Sequence, residues 1–223
     1  MKVCTDACLF GAWVAAGMEQ RELNEKNNSM LDIGCGTGLL SLMLAQKTGG
    51  TIDSLEMEEN ASLQATDNIN NSDWKDRINI IHADVKQFKF TNHYDLIISN
   101  PPFFENDLRT AKLAANMARH DETLTLETLL SIVSLRLSPE GSFAVLLPYQ
   151  RSAYCMTIAA SVHLFPADIV SVKQSTHQKY FRSMMLFKKQ PSIIPAVREL
   201  VIKDGNDYTA DFRELLTDYY LYL

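Results

Sequence analysis

Met30-Leu-Asp-Ile-Gly-Cys-Gly-Thr-Gly38 is an apolar run that stops on three alternate glycines, and Leu39-Leu-Ser-Leu-Met-Leu-Ala45 continues it in a helical pattern. A strand that ends in a bare backbone turn and opens directly into a helix is the first unit of an α/β sheet with a nucleotide-like ligand. Absent Cβ atoms let the chain turn tightly and let the ligand approach. Dinucleotide sites use G-x-G-x-x-G to seat a pyrophosphate on the helix N-terminus. Here Gly34, Gly36 and Gly38 follow the pattern G-x-G-x-G, and Asp32 precedes them. A carboxylate beside the turn repels pyrophosphate and suits the ammonium of a methionine moiety, which favours S-adenosylmethionine over a nicotinamide cofactor.

Outward from this unit, short apolar runs recur at Thr51–Leu55, Ile78–His82, Tyr94–Ser99, Ser142–Leu147, Ile169–Lys173 and Ser183–Phe187. Helical patterns at Asn60–Asn71 and Leu124–Leu137 lie between them, the second with Thr125 as N-cap and Glu127 in its first turn. Alternation of this kind predicts an α/β, doubly wound, Rossmann-like sheet of seven strands, mostly parallel. The last two strands, joined by Gln174–Arg182, read as a hairpin that makes one strand antiparallel. Pro139-Glu-Gly141 is the turn into the strand at Ser142.

The chain has 223 residues, 46% of them hydrophobic, enough for one core, and a single domain over 1–223 is expected. No run approaches the roughly 20 apolar residues of a membrane span, and no basic-then-apolar leader opens the chain. A cytoplasmic, monomeric protein without membrane association is expected. Cys4, Cys8, Cys35 and Cys155 show no C-x-x-C spacing, so neither a metal site nor a disulfide framework is expected. Cys4 and Cys8, one helical turn apart, read as small buried residues.

Two further strand ends carry candidate ligands. Glu56, closing the second strand, can accept hydrogen bonds from both ribose hydroxyls of the cofactor, and Asp84, beyond the third, can accept from its adenine amino group. Asn100-Pro-Pro-Phe103 closes the fourth strand. The prolines restrict the backbone and aim a carbonyl inward. An aromatic exocyclic amine is a poor nucleophile because its lone pair is delocalised. Acceptors from the Asn100 side chain and the Pro101 carbonyl would bind both amine hydrogens and favour a more tetrahedral nitrogen, while Pro102 holds the turn and Phe103 stacks on the substrate plane.

The net charge of −6 argues mildly against a polyanionic partner, but its distribution does not. Asp53 to Asp76 is strongly acidic, as is Glu199 to Asp218. Leu108–His120, with Arg109, Lys112 and Arg119, holds no acid, and neither does Ser171–Lys189, with Lys173, Lys179, Arg182, Lys188 and Lys189. A polyanion responds to the local field, so an acidic chain can present a basic rim. The alternative is two solvated basic faces.

These motifs resemble the class I methyltransferases that act on amino groups, whose hallmark is N-P-P followed by an aromatic residue. The fuller likeness is to the bacterial tRNA1(Val) (adenine-37-N6)-methyltransferase family. It runs through Lys2-Val-Cys-Thr5-Asp6, Leu9-Phe-Gly-Ala-Trp13, the glycine motif, Ser72-Asp-Trp74, Arg77-Ile78, Asn100-Pro-Pro-Phe-Phe104, Ala118-Arg-His120 and an acidic, tyrosine-rich C-terminal helix ending over Leu215–Leu223. The resemblance implies a tRNA substrate, with Thr5 and Asp6 near the methionine end of the cofactor. Arg119 and His120 would belong to a loop closing over the RNA. From the charge distribution, Arg109, Lys112, Arg119, Lys179 and Arg182 are the expected RNA-binding patch. Methylation of a protein glutamine amide, and a cofactor-binding RNA module without catalysis, are the alternatives. DNA methylation and hydride transfer are disfavoured.

Overall fold

The computed structural model describes residues 4–19, 28–101, 124–191 and 194–222. Within them the chain alternates helix α1 (Thr5–Glu19), strand β1 (Ser29–Ile33), α2 (Leu39–Lys47), β2 (Thr51–Glu56), α3 (Glu59–Asn70), β3 (Ile78–His82) and β4 (Tyr94–Ser99). It continues with α4 (Leu126–Arg136), β5 (Leu137–Pro148), a 3-10 turn (Tyr149–Arg151), α5 (Ser152–Ser161), β6 (Phe165–Ser175) and β7 (Tyr180–Lys188). It closes with β8 (Ala196–Asp204), β9 (Asp207–Tyr208) and α6 (Ala210–Leu216).

One sheet carries all nine described strands in the order β3-β2-β1-β4-β5-β7-β6-β8-β9. After β1 the chain works outward through β2 and β3, then crosses back to lay β4 on the other side of β1. The crevice where strand order reverses thus lies between the ends of β1 and β4, the place where open α/β sheets bind ligands. Both faces are covered. Met30, Ile52 and Leu96 pack with α1, α2 and α6, whereas Leu31, Ile33 and Ile97 pack with α4 and α5. Burial on both faces is why the central strands read as continuous apolar runs.

The seven expected strands are all present, and β7 runs antiparallel to both β5 and β6. The expected count is corrected by two additions. β8 joins β6 in parallel and β9 returns antiparallel to β8, so two strands are reversed. In β8 only Leu200 and Ile202 are buried, and Arg198, Glu199 and Lys203 make the segment read as solvated. Beyond it, the Thr209 amide donates to the Ile202 carbonyl and its hydroxyl to the Val201 carbonyl, so the outer edge of β8 is partly capped as the chain enters α6.

Local details follow the sequence closely. Thr125 caps α4, its hydroxyl accepting from the Thr128 amide at 3.2 Å. The Pro139–Gly141 turn is a bulge inside β5, across which pairing jumps from Tyr94–Leu137 to Leu96–Ser142. The C-terminal helix ends earlier than expected, at Leu216, and the tyrosines beyond it form a turn whose Tyr219 hydroxyl donates to the Met43 carbonyl of α2 at 3.2 Å. Of the two cysteines expected in the core, Cys8 is buried and Cys4 is exposed. Arg77 clamps the corner after α2, its guanidinium donating to the carbonyls of Thr48 (2.7 Å) and Gly50 (3.1 Å).

Candidate active site

The glycine turn stands at the end of β1 with φ of 73°, 57° and 81° at Gly34, Gly36 and Gly38, a left-handed region that a side chain rarely tolerates. The amides of Gly34 and Cys35 donate to the Leu55 carbonyl at 2.8 and 3.0 Å, which ties the turn to β2. A Cβ on Gly38 would sit 3.3 Å from Ile69 Cδ1, so that glycine serves the close packing of α2 on α3. A Cβ on Gly34 would meet no atom within 4 Å. Gly34 is therefore the side of the turn left open to a ligand.

Glu56 lies beside this turn with both oxygens engaged. Oε2 accepts from the Gly36 amide at 2.8 Å and Oε1 from the Glu58 amide at 2.9 Å. Each carboxylate oxygen keeps a further lone pair, so Glu56 is pre-oriented at the strand end with acceptor capacity for a diol. Glu58, which reads in sequence as one acid of a solvated run, is the N-cap of α3, accepting from the amides of Asn60 and Ala61. Those bonds hold its carboxyl below the ordinary value. The Glu56 carbonyl accepts from the Ala83 amide at 3.0 Å, which brings the β3 end alongside. Asp84 follows there, its carboxylate accepting from the Lys86 amide at 2.9 Å and pairing with Lys86 Nζ at 3.6 Å.

Asp32 sits under the turn, not beside it. Its side chain is wholly buried between β1 and α2. Oδ2 accepts from the Ser41 hydroxyl at 2.7 Å, and Ser41 in turn lies 2.8 Å from the Ser54 hydroxyl. Oδ1 has no partner among the described residues. Burial pushes the carboxyl up to about 7 against the opposing Ser41 bond. A buried carboxylate with an unmatched oxygen below an open glycine turn fits a cationic group above it, and S-adenosylmethionine carries two, an ammonium and a sulfonium. Sequence reasoning missed Ser41 and Ser54. The only signal was two small hydroxyls, one in an otherwise apolar helix and one in a strand of mixed polarity.

Across the crevice, the Ser99 hydroxyl donates to the Ile33 carbonyl at 2.8 Å, and Ile33 and Ser99 are register partners. The pairing sets half-buried Asn100 and buried Pro101 next to the glycine turn. Pro102, Phe103, Arg109, Lys112, Arg119 and His120 lie outside the described residues.

Thr5 and Asp6 open α1, whose first amides, Ala7 and Cys8, bond back to the Cys4 carbonyl. Asp6 accepts from Arg182 Nε at 2.8 Å, and Arg182 is the register partner of Pro148 at the far end of β5. The structure therefore joins an expected cofactor residue to an expected RNA residue, and the charge of each partly cancels the other. Lys179 stands exposed in the β6–β7 turn with no ion-pair partner among the described residues. Among those residues, no group of three or more His, Cys, Asp and Glu side chains could hold a metal, and no helix is long and apolar enough to cross a membrane.

Comparison with known proteins follows the same line. Residues 16–140 match the sequence model of the Methyltransferase small domain. Over its whole length the chain is 38% identical to the tRNA1(Val) (adenine(37)-N6)-methyltransferase of Christiangramia forsetii, covering 92% of that protein. It is also 38% identical to the protein of the same name from Serratia proteamaculans, covering all of this chain and 84% of that one. In fold it resembles a crystal structure from Agrobacterium tumefaciens described as a predicted O-methyltransferase, with a TM-score of 0.69 at 15% identity over 95% of both chains.

Proposed function

The chain belongs to the tRNA1(Val) (adenine(37)-N6)-methyltransferase family, and on that footing we propose that it methylates N6 of an anticodon-loop adenine in tRNA with S-adenosylmethionine as donor. The observation that carries this reading is the side-by-side placement of the open glycine turn and Asn100-Pro101 at the sheet's reversal point, held by the Ser99–Ile33 hydrogen bond.

When bound, S-adenosylmethionine supplies an electrophilic methyl group on a cationic sulfur. Asp32 would place a carboxylate beneath the cofactor's ammonium, and Glu56 would accept from the ribose hydroxyls. Asp84 lies one strand further out, where the adenine end of the cofactor would reach. The Asn100 side chain and the Pro101 carbonyl accept the two amine hydrogens of the target adenine and turn its lone pair toward the methyl. No strong base is needed in this arrangement, because the work is positioning and electrostatics. A loop adenine suits such a site, since extruding a base that is already unpaired costs less than opening a duplex.

The test is transfer of labelled methyl into separate RNA, protein and DNA pools, with nucleoside analysis of the RNA. Label in N6-methyladenosine of tRNA is expected, and label in protein alone would move the assignment to an amide. Asn100→Ala should lower the transfer rate by about 10²–10³ while leaving the cofactor Kd nearly unchanged. Equal loss of both would remove Asn100 from its assigned role.

A further inference from the structure

The β6–β7 hairpin and the end of β5 carry a feature that the methyl-transfer chemistry does not use. The rings of Tyr149 and Tyr180 lie 4.8 Å apart between centroids and tilted by 34°. Lys173 Nζ stands 4.7 Å from the Tyr180 centroid and 2.8 Å from a Glu199 oxygen. Glu199 also accepts from the Tyr180 hydroxyl, so one exposed carboxylate holds both the ring and the cation in place. In front, Tyr149, Gln150, Lys173, Gln178, Lys179 and Tyr180 line a concavity of about 520 Å³ that contains no carboxylate. Tyr149 is 39% exposed, and Gln150, Gln178 and Lys179 are exposed. Another concavity, about 370 Å³ between α1, β8 and α6, is lined by Asp211, Glu214 and Asp218 among others. Glu199 lines that second concavity, and its carboxylate is engaged by Lys173 and Tyr180 at the margin of the first.

The location matches the chemistry. Val145 of β5 is the register partner of Ser99, and Tyr149 follows four residues later. At about 3.3 Å per residue, the end of β5 at Pro148 stands roughly 10 Å beyond the level of Ser99, on the edge where the glycine turn opens, and Tyr149 begins the turn directly after it. A few nucleotides span that distance. Exposed rings interleaved with cations and amides are what sequence-tolerant single-strand binding uses, since every base has a face to stack and every linkage a charge to meet.

We propose that Tyr149 and Tyr180, with Lys173 and Lys179, form a stacking platform for the single-stranded RNA that flanks the target adenine in the anticodon loop. The proposal rests on the functional reading above but concerns binding, and it is tested as binding. Fluorescence anisotropy with a labelled anticodon stem-loop would compare the intact protein with Tyr149→Ala, Tyr149→Phe and Lys179→Ala. Tyr149→Ala should raise Kd about tenfold, and Tyr149→Phe, which keeps the ring, should bind like wild type. Lys179→Ala should weaken binding and reduce the salt slope by about one. The Kd for S-adenosylmethionine, read by calorimetry, and the melting temperature of the three variants should match wild type, and in Tyr149→Ala and Lys179→Ala KM for RNA should rise more than kcat falls.

An unchanged RNA Kd in both Tyr149→Ala and Lys179→Ala would overturn the platform. So would an equal loss of affinity in these variants for polyglutamate, which would mark the surface as a site for acidic peptides. Wild-type protein that shows these dependences but transfers no methyl to RNA would leave the platform standing and remove the functional reading instead.

Discussion

Asp32 shows how one buried group can serve both stability and ligand binding. Its carboxyl is raised from 3.8 to about 7 by burial, so between those values the folded protein holds a proton that the unfolded chain has released. That contribution to stability is fully present below about pH 4 and is lost as pH rises through 7. Asp32→Asn removes it, and the denaturation midpoint of the variant should gain on wild type from pH 5 to 8. A cation seated over the turn favours the ionised form. S-adenosylmethionine should therefore bind more tightly as pH rises through 7, releasing up to about one proton, as calorimetry in two buffers of different ionisation heat would read. Binding without proton release would mean that the cation is not felt by Asp32. At this scale the sequence named the charge but not its setting. A lone aspartate in an apolar strand indicates that it is buried, whereas its hydroxyl partners Ser41 and Ser54 come from a helix and a neighbouring strand that only the fold brings together.

Among the elements, legibility follows burial. The central strands are apolar on both faces and announce themselves, and α4 does so through its Thr125 cap. β8 does not, because a strand near the sheet margin with one buried face and four charged residues has the composition of a loop. The glycine turn was visible as a motif, but the tyrosine pair was not, since Tyr149 and Tyr180 are separated by α5 and a whole strand and meet only through β5–β7 pairing. A different element junction supplies a stability prediction. Gly50 lies where the entry to β1 passes the start of β2, and a Cβ there would stand 2.2 Å from the Asn28 carbonyl oxygen, which also accepts from the Thr51 amide. Two backbones cannot separate without breaking that bond. Gly50→Ala should cost about 1–3 kcal/mol, a fall in Tm of roughly 5 °C in a thermal melt. A melt indistinguishable from wild type would show that the corner yields freely despite the Arg77 clamp.

Across the whole molecule, one apolar cluster runs from α1 through the sheet to α6, with Phe10, Met184, Phe212 and Leu216 all buried in it and Trp13 and Trp74 packed against it. Both ends of the described chain are therefore built into the same core as the β1–β4 crevice. Unfolding should be a single transition in which tryptophan fluorescence and far-UV circular dichroism coincide. Phe212→Ala should move both signals together to lower denaturant, by about 3–5 kcal/mol. Two separated transitions would show that the C-terminal portion folds apart from the rest.

The capped margin of β8 has a bearing on how the protein behaves in company. An open strand edge is a template on which a neighbouring chain can add, and wide sheets invite such stacking. Here the last strand is two residues long, and Thr209 occupies the Ile202 and Val201 carbonyls just beyond it. Charged Arg198, Glu199 and Lys203 stud the remaining length. The cap leaves few free partners for a foreign strand on this margin, so edge-to-edge addition of a second copy should not start from β8.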